Sequence, residues 1–139
     1  MPDPVPPRNP AMAVAAGAMK AQHSRMRVIA ENIANADSTS PVAGGEPYRR
    51  QVPVFQSRTV DGVTGVVLAE VRPDQGDFRM DYDPSHPAAN ADGYVMRPNV
   101  NTLVEAMDMR EAQRAYEANL NIIETARAME SRLLEILKK

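Results

Sequence analysis

At 139 residues, with 43% hydrophobic and 24% charged side chains, the chain is sized and composed for one ordinary domain, which excludes two normal domains and a disordered chain. Its formal net charge of −2, with no basic block, excludes the clustered cations of a nucleic-acid footprint, and the absence of Cys excludes disulfides and thiolate metal sites. Aromatics are only 4%, with no Trp, while Met numbers nine and Ala is abundant, a mixture suited to closely approaching helices.

Gly and Pro divide the chain into segments with different rules. Residues 1–10 carry Pro at positions 2, 4, 6, 7 and 10 and read as an extended, mobile arm. Residues 11–40 have a single Gly and no Pro, residues 41–98 hold the rest of both, and residues 99–139 have neither. The most apolar early stretch, Ala11 to Met19, is too weak for a signal-peptide core. It is also far short of the roughly 20 residues that span a bilayer.

The first helix carries a seven-residue beat. Met12, Met19, Met26 and Ile33 fall on one position, with Ala15, Ile29 and Ala36 three residues after three of them, and Gln22 breaks the second row. Such a pattern marks a helix that pairs with another helix, although a plain amphipathic helix on a globular core shows much the same stripe. Asn35 or Asp37 is placed to end the helix before Pro41 and Gly44-Gly45.

The segment 41–98 reads as a small β unit. Val52, Val54 and Phe55 suggest a strand that Pro53 restricts to an edge, and Val60-Asp61-Gly62-Val63 is a hairpin turn signal. Val66 to Val71 makes a second strand, and Phe78, Met80 and Tyr82 a third. Residues 83–99 are rich in turn formers and read as a loop.

The last helix has the strongest signal. Thr102 followed by Glu105 fits a capping box, with Asn99 and Asn101 as alternative caps. Ala112, Ala115, Asn119, Ile122, Ala126, Met129, Leu133 and Ile136 then hold heptad spacing, and Met109, Tyr116, Ile123 and Leu137 widen the stripe on one side. At 1.5 Å per residue such a helix is roughly 55 Å long, against a radius of gyration of about 14 Å for a compact globule of this size. The molecule is therefore expected to be elongated, with apolar surface left over for neighbours.

Chemistry has few candidates. His23 and His86 stand at no metal-ligand spacing and read as a helix-face and a loop residue; Asp77, Asp81 and Asp83 lack a calcium-loop pattern. No phosphate-cradling Gly loop is present, so neither a cofactor nor catalysis is expected.

Three stretches, in order, resemble the flagellar rod and hook axial protein family. They are Ala30-Glu31-Asn32-Ile33-Ala34-Asn35-Ala36; then Tyr48-Arg49-Arg50; then a long run. That run holds Tyr82-Asp83-Pro84-Ser85-His86-Pro87, Gly93-Tyr94-Val95, Pro98-Asn99-Val100-Asn101 and Arg114-Ala115-Tyr116-Glu117-Ala118-Asn119, and is similar to the family's small proximal-rod branch. The likeness covers roughly residues 11–139. Two departures are the Pro-rich start and Asp37-Ser38-Thr39-Ser40-Pro41, where the family more often has a shorter Thr-Pro ending.

The resemblance implies a structural subunit of the bacterial flagellar basal-body rod, exported by the flagellar type III apparatus without a cleaved signal peptide. Implied partners are further copies of itself and rod proteins of the FlgB, FlgF, FliE and FlgG types, with no nucleic acid and no small-molecule substrate. Another rod subunit, or a soluble coiled-coil adaptor or secretion chaperone, is the alternative.

The expected architecture is α+β. Residues 11–40 plus 99–139 form an elongated two-helix coiled-coil assembly domain, residues 41–98 a small β insert, and residues 1–10 the arm. Asn32, Ile33, Ala34 and Asn35 are the family signature. The expected assembly interface is Met12, Met19, Met26, Ile29 and Ile33 on the first helix. On the last helix it is Ala112, Ala115, Tyr116, Asn119, Ile122, Ile123, Ala126, Met129, Leu133, Ile136 and Leu137. Asn35 is expected to cap its helix, Asn32 to cap or to contact the last helix or a neighbour, and Asn119 to fix register if buried.

Overall fold

The computed structural model describes residues 9–60 and 62–139; residues 1–8 of the arm expected over 1–10, and Asp61 of the hairpin turn, lie outside the described residues. Helix α1 spans Pro10–Ala34, so its first turn takes in the last Pro of the stretch expected as arm. The reason is local: Asn9 caps the helix by accepting from Ala11 N–H at 3.0 Å, and Pro at the first position gives up no bonded N–H. Asn35 closes the helix, donating to the Glu31 carbonyl through both its backbone N–H (3.1 Å) and its Nδ2 (2.9 Å).

Strands β1 (Gln51–Val60) and β2 (Val63–Pro73) form an antiparallel hairpin with a bulge at Val54/Phe55. Gly62 supplies the positive φ of +77° that the two-residue turn requires. Pro53 is tolerated because the sheet has two strands and each is therefore an edge. The hairpin packs along α1, running back from Asn32 at the start of β1 towards Gly17, which faces the Val66 carbonyl.

The stretch 83–99, expected as loop, contains a strand. β4 (Tyr94–Arg97) pairs antiparallel with β3 (Arg79–Tyr82). With four residues between Gly93 and Pro98, β4 is too short for alternation to register in the sequence. The connection is set by Asn90, whose Oδ1 accepts from Asp92 and Tyr94 N–H groups at 3.0 Å each. Ala88, Val95, Pro98 and Val100 are buried beneath this unit.

Helix α2 spans Thr102–Leu137, 36 residues and so about 54 Å. Its N-cap is Asn101, whose Oδ1 accepts from Leu103 N–H (3.1 Å) and Val104 N–H (3.3 Å). The Thr102–Glu105 capping box is thus corrected: Thr102 is already helical, and the Glu105 carboxylate turns to partners elsewhere.

The two helices are antiparallel neighbours. Asn9 donates to Glu130 (3.0 Å), Arg25 pairs with Glu111 (3.4 Å), and Asn32 donates to Glu105 (3.3 Å). Between those pins α1 buries Ala15, Ala21, Val28 and Ile29, and α2 buries Ala112 and Ala126. Small side chains at the contact let the backbones approach. The result is an α+β two-helix domain with a small antiparallel β insert.

Candidate functional site

Two features stand out: a polar clamp where the insert joins the helix pair, and an apolar face of α2 that the chain leaves open. The clamp starts from Asn32, which is 1% exposed and used to capacity. Its Oδ1 accepts from Gln51 N–H (2.9 Å) and the Tyr48 hydroxyl (2.7 Å); its Nδ2 donates to Gln51 O (2.9 Å) and Glu105 Oε2 (3.3 Å). By pairing with both backbone groups of Gln51, the side chain acts as a strand neighbour and starts β1 against the helix.

Glu105, in the first turn of α2, is fully buried, and Arg50 Nε donates to its Oε1. Burying a lone carboxylate costs several kcal/mol, so the guanidinium is what makes the site tenable. Arg50 also pairs with Asp74 (3.2 Å) and stands 3.9 Å from Asp108. Its N–H donates to Asn99 Oδ1 (2.8 Å), and its carbonyl accepts from Asp74 N–H (2.8 Å).

A second layer fastens the chain just beyond β2. Arg49 donates to the carbonyls of Asp74 and Gly76 (3.0 Å each) with its guanidinium 4.2 Å above the Phe78 ring, and Asn99 Nδ2 donates to the same two carbonyls.

Charge states follow from these contacts. Burial, then Glu31 and Glu105, push the Tyr48 hydroxyl above the ordinary tyrosine range, so it stays a donor. Burial alone would lower the Arg50 guanidinium, but Glu105 and Asp74 outweigh it and raise its value. The Gly76 N–H, with help from Arg50, holds Asp74 below the usual carboxylate range against the opposing effect of its slight burial.

On α2 the structure separates residues that the heptad count ran together. Glu105, Met109, Ala112, Tyr116, Asn119, Ile123 and Ala126 alternate at spacings of four and three, and are buried or half-buried on the face pinned to α1. Roughly a quarter turn away, Ala115, Ile122, Met129 and Ile136 repeat every seventh residue. Ile122 is 48% exposed, Met129 60% and Ile136 69%; Leu133, Leu137, Val104 and Met107 are exposed as well. Every residue from 127 to 139 is exposed, and α2 runs on past Pro10, where α1 begins opposite Glu130.

On α1, Ile29 is buried, Met12, Met19 and Met26 are half-buried, and Ile33 and Ala34 are exposed. Asn119 Nδ2 donates to the Ala115 carbonyl of its own helix (2.8 Å), and among the described residues its side chain makes no hydrogen bond across to α1. His23 is exposed on the helix, and His86 Nδ1 accepts from Ala88 N–H within its turn. Arg50, Asp74, Asn99 and Glu105 were not among the expected site residues. Arg50 and Asn99 stand in runs that carry the family resemblance, and Asn99 and Glu105 in the capping pattern, but none of these readings gives them a place in a clamp. Among the described residues no helix is long and apolar enough to cross a membrane.

Comparison with known proteins gives matches to both helical ends. A family model described as flagella basal body rod protein matches residues 12–40, and one described as flagellar basal body rod FlgEFG protein C-terminal matches residues 91–136. A flagellar basal-body rod protein FlgC of Agrobacterium fabrum is 42% identical over 134 residues, covering 95% of this chain and 96% of the relative. The FlgC of Bacillus subtilis is 37% identical over 142 residues, covering 90% and 95%. That of Escherichia coli O6:H1 is 40% identical over 119 residues, covering 84% and 87%. The two family-model matches fall on α1 and on β4 with α2, and so include the two helices that the clamp joins.

Proposed function

The chain belongs to the FlgC family of flagellar basal-body rod proteins, and on that premise we propose that it is a proximal-rod subunit that polymerises through its helix pair. It is a structural component of the basal-body rod, not an enzyme. In this reading the rod carries torque passively, so rigid packing between subunits is the whole mechanism.

The observation that supports the reading is the open face of α2. Ile122, Met129, Leu133 and Ile136 stay exposed after α1 has taken the neighbouring face. An apolar row this long has a reason to persist when another subunit covers it. Its partners are further copies of itself and rod proteins of the FlgB, FlgF, FliE and FlgG types. Delivery is by the flagellar type III apparatus, without a cleaved signal peptide, to the rod that spans the periplasm.

The test replaces Ile122 or Met129 by Asp in a motile strain. Burying an unpaired carboxylate in a subunit contact costs about 3 kcal/mol or more, a factor of about 100 or more at each contact. The expected outcome is normal synthesis, no swimming in soft agar, and basal bodies that lack a rod. Swimming by either variant overturns the interface.

A further inference from the structure

Glu105 and Asn32 sit where α1 and α2 meet beside the insert, yet most of what satisfies them comes from the insert. The cation that compensates the buried Glu105 is Arg50, on the segment leading into β1. Asn32 directs its bonds to Tyr48 and to both backbone groups of Gln51, besides the one to Glu105. The chain just beyond β2 and the chain entering α2 are tied to the same point, through Asp74 to Arg50 and through Asn99 to the Arg50 N–H. Helices closing here with segment 48–51 undocked would bury a carboxylate with only an amide beside it, far costlier than a surface ion pair is favourable. Towards the other end of the pair the buried residues are Ala15 on α1 and Ala126 on α2, which ask nothing of that kind.

We propose that this cluster is an interlock: docking of segment 48–51 gates closure of the α1–α2 pair at its insert end. The region switches as one unit between a closed form and a form in which the insert, residues 28–35 and residues 102–112 open together. A neighbouring subunit then meets the helix pair in a single setting, and only once the insert is in place.

Hydrogen–deuterium exchange of the purified full chain, read by mass spectrometry over residues 28–35, 48–52 and 102–112 with residues 12–20 as reference, tests this. In the unaltered chain the three regions are expected to share one level of protection. Arg50→Met should raise exchange in all three by about a hundredfold, and less at 12–20. Arg50→Met with Glu105→Met, which replaces the ion pair by side chains needing no partner, should restore protection in all three regions together, since Asn32 keeps Tyr48 and Gln51 as partners. Loosening confined to 48–52, or three unrelated protection levels in the unaltered chain, overturns the interlock. Should Arg50→Met not fold, Arg50→Lys keeps the charge but not the bridge. With it, concerted partial loss supports the proposal and loss at 48–52 alone overturns it. Motility is not read, so the outcome is independent of the polymerisation interface.

Discussion

Asn32 shows how much one side chain can decide. Its amide meets four partners with four hydrogen-bonding sites, and one of those partners is a carboxylate 3.3 Å away. Asn32→Asp preserves the shape but removes both donors and sets a second carboxylate against Glu105. We expect a loss of about 3 kcal/mol or more, measured as a shift in the urea midpoint of the helical circular dichroism signal. The family resemblance marked Asn32 and Asn35, and their place at a helix end, where Asn has local uses, suggested capping. It pointed to the wrong role for Glu105. A carboxylate three residues after Thr is a local capping pattern, whereas the partner that claims it, Arg50, is 55 positions away.

At the scale of elements, the helices were legible and their faces were not. A heptad row says that a helix is covered on one side, but it does not say by what. On α2 two rows share a broad stripe: the one from Glu105 to Ala126 is covered by α1, and the one from Ile122 to Ile136 is left open. Strand β4 was missed because four residues among turn formers give no periodicity. Its position rests on Gly93, which has φ +84° and where a Cβ would stand 3.0 Å from both the Tyr82 ring and Pro84. Tyr82 and Tyr94 pack edge to face across the strand pair, with ring centroids 5.2 Å apart. Gly93→Ala therefore meets both a strained backbone and a crowded one. A loss of about 2 kcal/mol is expected by the same urea titration, with Tyr82 and Tyr94 more exposed to tyrosine nitration.

At the scale of the whole molecule, α2 sets the shape. A helix of 36 residues is about 54 Å long, so the chain cannot be a sphere. Small-angle scattering of the monomeric chain should give a radius of gyration well above the roughly 14 Å of a compact domain of this size. A value near that figure would mean that α2 breaks in solution. The two helical ends, the hairpin and the elongation were determined by the sequence itself, because turn residues, periodicity and helical rise act over a few neighbours at a time. Only the tertiary structure decided which face of α2 is spent on α1, and that Arg50, Asn32 and Glu105 form one clamp. Those depend on segments far apart in the chain meeting at one buried point, where a charge is tolerable only beside its partner.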